Sequence, residues 1–198
     1  MPYSTLRIQD LQTHFGLTIN QTANLFAHVP KTAISDLLRK LLDDYIPLAS
    51  AIGTEKARSE FLIAPILAEV RRRTNYQVSL FSGVELTIDP DRGLHGVCDF
   101  VLSRSPGQFF LTAPIVMMVE AKNENIKGGI VQCIGEMIAA RCFNEREGNE
   151  QTTIYGAVTT GTIWRFLQLT EQTAFIDQPE YYIDQVDTIL AILLEMVR

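Results

Sequence analysis

The stretch IVMMVEAKNEN, residues 115–125, runs from five apolar residues directly into Glu120, Ala121 and Lys122. In an extended chain successive side chains alternate between the two faces of a sheet, so Met118, Glu120 and Lys122 share one face and Ala121 turns away. An apolar run bounded in this way predicts a buried strand that delivers an acid and a lysine to one edge. Twenty residues upstream, GVCDFVLS (residues 96–103) obeys the same alternation. It sets Val97, Asp99 and Val101 on one face, and Cys98, Phe100 and Leu102 on the other. The connection through SPG favours direct pairing of the two strands, which brings Asp99, Glu120 and Lys122 to one end of the sheet.

Outward from these strands the pattern is that of an α/β protein. YQVSLF and VELTI, separated by SG, and the DPDRG turn before GVCDFVLS predict an antiparallel meander. A helix is expected from Gly128 or Gly129 to about Phe143, with Ile130, Ile134, Met137 and Ile138 on one side and Gln132 and Glu136 on another. TIYGAVTT and TIWRFLQLT, joined around Thr160 and Gly161, predict a hairpin, with Trp164 and Phe166 in the core. An amphipathic helix from about Tyr182 to Val197 closes the chain.

Before residue 50 the spacing is helical and rather polar. Leu6, Ile8, Leu11 and Phe15 predict one helix ended by Gly16, and Ile34, Leu37, Leu38, Leu41, Leu42 and Ile46 form the stripe of a second. That stripe suits either the sheet or a partner. A third helix is expected from about Glu55 to Arg73, disturbed by Pro65. The expected organisation is a helical N-terminal extension over residues 1–50, packed on an α/β core over residues 51–198.

The chain has 198 residues, 46% of them hydrophobic, enough for one sizeable core. Its longest apolar run, FLIAPIL, is too short to cross a bilayer, so no membrane partner and a cytoplasmic location are expected. Cys98, Cys133 and Cys142 form an odd set without a CxxC pair, as reduced thiols do, and with His95 they match no zinc spacing. Seventeen Lys and Arg against 23 Asp and Glu leave a net charge of -6. A grip on a polyanion over the whole surface is disfavoured, and any such site must be local. No Walker A, GxGxxG or GxSxG element is present.

Two carboxylates beside an ammonium suit a hard divalent cation, Mg²⁺ or Mn²⁺, and cation-assisted phosphodiester hydrolysis. The bland alternative is an ion pair at a solvated strand edge. The conjunction of Asp99 with VEAK resembles the PD-(D/E)XK nuclease superfamily. Its signature is an acid in one central strand, then acid, any residue and lysine in the next, with a glutamate from the preceding helix and a glutamine from the following one. SEFLIAPILAEV supplies Glu60 and the later helix supplies Gln132. The stretch TEKARSEFLIAPIL is similar to the first helix of nuclease domains at the N-terminus of type I restriction motor subunits. The resemblance spans residues 54–169.

It implies a restriction-endonuclease-like sandwich, a central mixed sheet flanked by helices. Asp99 and Glu120 would be metal ligands, with the Ala121 carbonyl and Glu60 as further ones. Lys122 would position water, and Gln132 would touch substrate or order Lys122. Lys127, Arg141 and Arg73 are the cations expected to meet nucleic acid, DNA above all. The Arg71–Arg73 run also suits the dipole of a helix end. The expected activity is that of a Mg²⁺-dependent nuclease, alone, as a homodimer or in a larger complex. The alternative is a catalytically silent module that binds nucleic acid or a protein partner.

Overall fold

The computed structural model describes residues 2–198, and a single mixed sheet of eight strands organises them. Strands β1 (Thr18–Ala23), β2 (Ser79–Glu85), β3 (Val97–Ser103), β4 (Ile115–Ala121), β5 (Thr153–Thr159), β6 (Ile163–Thr170) and β7 (Thr173–Asp177) lie in the order β1-β7-β6-β5-β4-β3-β2, and β8 (Tyr181–Tyr182) adds to β6. The β2-β3-β4 meander and the β5-β6 hairpin are antiparallel, as the turn residues require. Only β4-β5 and β1-β7 run parallel. The first of these parallel pairs is joined by the crossover helix α5 (Ile126–Arg146).

Helices cover both faces of the sheet. On one face, α2 (Asp36–Ile52), α4 (Ala64–Arg73) and α6 (Val186–Met196) pack Leu38, Leu42, Ile66, Leu67, Ile189 and Leu193 onto a cluster that includes Phe100, Val119, Ala121, Trp164 and Phe166. On the other, α5 and the N-terminal residues Tyr3, Leu6 and Leu11 cover Val101, Met118, Val158 and Leu167. With apolar surface on both faces, β4 is buried along its whole length, which explains its continuous apolar run.

The first fifty residues depart from expectation in one respect. Helix α1 (Ile8–Phe15) ends at Gly16 and α2 starts at Ser35, whose side chain accepts from the Leu38 N–H, but Thr18–Ala23 is not helical. It is β1, the outer strand beside β7. TINQTA carries too few apolar residues to announce a strand, and β7, TAFID, is just as short. Residues 1–50 therefore contribute a strand to the same sheet as the rest of the chain, and Leu25 N–H donates to buried Asp177 at 2.7 Å.

Two other differences have local causes. The pair Ser82-Gly83 is not a turn between strands. Gly83 takes φ +66° inside a single strand β2, a conformation open to glycine at little cost. The helix expected over residues 55–73 is α3 (Glu55–Arg58), a wide turn at Ser59–Ile63, and then α4. The Ala64 N–H reaches back five residues to Ser59, which widens the helix just before Pro65, where no N–H is available.

Candidate active site

Strands β3 and β4 pair Val101 with Met118 and Phe100 with Val119, and there the regular ladder stops. One residue further on, the Ala121 N–H donates to Asp99 Oδ2 at 2.8 Å. A carboxylate has taken the place of a strand carbonyl. On its other side β4 continues beyond Ala121, since the Lys122 N–H donates to the Thr159 carbonyl of β5 at 2.8 Å. The site thus sits where β4 ends, held by β5 and edged by Asp99.

Glu120 points to the α5 face, 1% exposed, while Ala121 packs into the opposite cluster. The Lys122 ammonium donates to Glu120 Oε1 and, at 3.2 Å, to Gln132 Oε1. Gln132 Nε2 in turn donates to Glu136 Oε1 at 3.1 Å. Asn125 caps α5 by accepting from the Gly128 N–H, turning the chain back over β4 within three residues of Lys122. Gly129 then lets the first turn of α5 approach closely: a Cβ there would lie 2.6 Å from Val158 Cγ1 and 2.9 Å from Lys122 Cγ. This close approach puts Gln132 and Glu136, one helical turn apart, onto the end of β4.

The electrostatics follow from burial. Burial first, and the Asp99 charge second, push Glu120 up to about 7 although Lys122 pulls it down. Glu136 is fully buried and is raised well above the carboxylate range by burial and then by Glu120. Burial lowers the Lys122 ammonium, but its bond to Glu120 and the charges of Glu120, Glu55 and Asp99 outweigh this and the net direction is up. Glu120 Oε2 and Glu136 Oε2 are buried without a hydrogen-bond partner. Three carboxyls, Asp99, Glu120 and Glu136, thus crowd one ammonium where water is largely excluded, and a proton or further positive charge would relieve them.

Asp99, Glu120, Ala121, Lys122 and Gln132 come together. Glu60 stands at the surface, 54% exposed, ion-paired to Lys56 at 2.8 Å. The helix acid whose charge acts on Lys122 is Glu55, the first residue of α3. Arg73 bonds to Glu69 at 3.2 Å and to the Ala33 carbonyl, tying α4 to the start of α2. Arg141, near the far end of α5, donates to the Glu171 carbonyl. Lys127 is exposed at the start of α5, beside a groove shared with Gln21, Ile130 and Arg165. Strict alternation fails at Cys98: it packs on the α5 side with Val101, not with Phe100, at the point where β3 stops pairing with β4 while keeping its register with β2.

Glu136 and Glu55 escaped sequence reasoning. Glu136 had one usable signal, its i, i+4 spacing from Gln132 on a helix otherwise rich in buried apolar residues; Glu55, at a capped helix start, reads as an ordinary first-turn acid. No family model matches this chain, and no curated protein matches it.

Proposed function

We propose that the protein is a metal-dependent nuclease with a restriction-endonuclease-like sandwich, cleaving phosphodiester bonds in DNA. The observation that carries this reading is the meeting of Asp99, Glu120 and Lys122 at the end of β4. Mg²⁺ or Mn²⁺ fits the donors present. Glu120 Oε2 is buried and accepts no N–H, and Asp99, near enough for its charge to raise Glu120, would offer a second hard oxygen. Among the described residues no three His, Cys, Asp or Glu side chains are arranged to hold a metal, so the donors would be these two carboxylates and the Ala121 carbonyl. That suits Mg²⁺, which keeps several waters and binds through one or two carboxylates.

A bound divalent cation would offset the paired carboxylates, polarise a phosphodiester oxygen and acidify water. The chain's own residues supply the rest. Lys122 has three donors, of which Glu120 and Gln132 take two, leaving one for the attacking water or for charge developing on phosphorus. Gln132 limits the directions available to that ammonium. The cations expected to steer DNA are less free: Arg73 and Arg141 are held by intramolecular partners. This engagement argues against strong free-standing DNA binding and favours an enzyme that works within a complex or, as the second reading, a silent module that binds a protein partner.

Incubation with supercoiled plasmid and with single-stranded DNA in Mg²⁺ or Mn²⁺, beside Asp99→Ala and Glu120→Ala, separates the two. Cation-dependent cleavage lost in both variants is expected. Equal activity in all three proteins, or none in the unaltered one, overturns the nuclease reading.

A further inference from the structure

Glu136 is a fully buried carboxyl on a helix whose neighbouring buried positions are Cys133, Ile134, Met137 and Ile138. Packing alone does not call for it, and a buried carboxyl oxygen without a partner costs stability. It accepts from Gln132 Nε2 at 3.1 Å, and its carboxyl also lies within hydrogen-bonding reach of Glu120. A glutamine side chain has a donor end and an acceptor end, whereas a lysine ammonium only donates. For Gln132 to meet Lys122 its oxygen must face the ammonium and its NH₂ must find an acceptor elsewhere. Glu136 Oε1 is that acceptor, and the order Glu136, Gln132, Lys122, Glu120 admits one amide orientation.

We propose that Glu136 is a positioning residue for Lys122, acting through Gln132 by fixing which end of its amide meets the ammonium. Its consequence for turnover rests on the nuclease reading above; its consequence for Lys122 does not. Without the acceptor at residue 136 the Gln132 amide is free to rotate, its NH₂ end repels the ammonium, and Lys122 loses its second partner. Supporting partners of this kind contribute about 10- to 100-fold to activity.

The test uses ¹⁵N-labelled full-length protein and three variants. Glu136→Met fills the space without an acceptor, Glu136→Gln keeps an acceptor oxygen for Gln132, and Gln132→Leu removes the link. The NMR signals of the Gln132 side-chain NH₂ and of the Lys122 ammonium are followed together with DNA cleavage. In Glu136→Met the Gln132 signals should move to free-amide positions and the ammonium signal should be lost to solvent exchange. Its kcat should fall about 10- to 100-fold with KM for DNA unchanged, and Glu136→Gln should keep the native signals and most of the rate.

Native Gln132 and Lys122 signals in Glu136→Met, or a Glu136→Gln protein that behaves like Glu136→Met, would overturn the proposal. Should Glu136→Met not fold, the other two variants decide, since Gln132→Leu must lose the ammonium signal that Glu136→Gln keeps, and the reverse overturns it. If the signals follow this pattern while the unaltered protein cuts no DNA, the positioning role stands and the nuclease reading falls.

Discussion

At the scale of single residues, Glu120 carries the most testable consequence of burial. Its folded pKa, about 7, lies above the ordinary carboxylate value of 4.5. Without a cation the folded protein therefore holds a proton that the unfolded chain has released between those pH values. The corresponding stability is fully present below the unfolded value and is lost as pH rises through 7. Urea melts of cation-free protein should show stability falling across pH 5 to 8 (about 1.4 kcal/mol for each full pK unit), with a shallower fall in Glu120→Gln. An equal slope in both proteins would locate the effect elsewhere. Alternation along β4 placed Glu120 and Lys122 on one face, and the short link between β3 and β4 brought Asp99 to them, although alternation on β3 itself breaks at Cys98. Glu136 was not legible in this way: a single acid on a helix reads as solvated unless the helix is known to be covered, and only the turn at Asn125 folds it onto β4.

Among elements, the spacing between α5 and the end of β4 decides whether the site exists. Gly129 sets that spacing, and Gly129→Ala would place a Cβ within 2.6 Å of Val158 and 2.9 Å of the Lys122 stem. Relief requires α5 to move or Lys122 to shift. We expect a loss of about 1–3 kcal/mol in urea unfolding and a marked fall in cleavage, whereas wild-type stability and rate would show that α5 does not hold Lys122 in place. Elements with strong periodicity were legible: α1, α2, the meander, the β5-β6 hairpin, α5 and α6. Those missed were short or half polar. TINQTA makes a strand only beside β7, and TAFID is held between β1 and β6, a tertiary gain invisible to local pattern. Gly83 misled in the opposite direction, since Ser-Gly marks a turn in most contexts and here bends one continuous strand.

In the whole molecule, one sheet extends from residues 18–23 to the β2 edge, so the first fifty residues are built into the same layer as the site. Their apolar stripe covers the sheet through Leu38 and Leu42, and Asp177 ties the loop at Leu25 to β7. No helix among the described residues is long and apolar enough to cross a membrane. With a net charge of -6, the molecule offers a polyanion no general attraction. Under the proposed nuclease function, affinity for a phosphodiester would have to come from the end of β4, where Asp99 and Glu120 would hold a cation. Calorimetric titration of the full chain with Mn²⁺ tests this most directly. The account predicts binding at pH 8 that weakens below pH 7, as protons compete for Glu120, and that is lost in both Asp99→Asn and Glu120→Gln. No binding by the unaltered protein, or equal binding by all three, would contradict it.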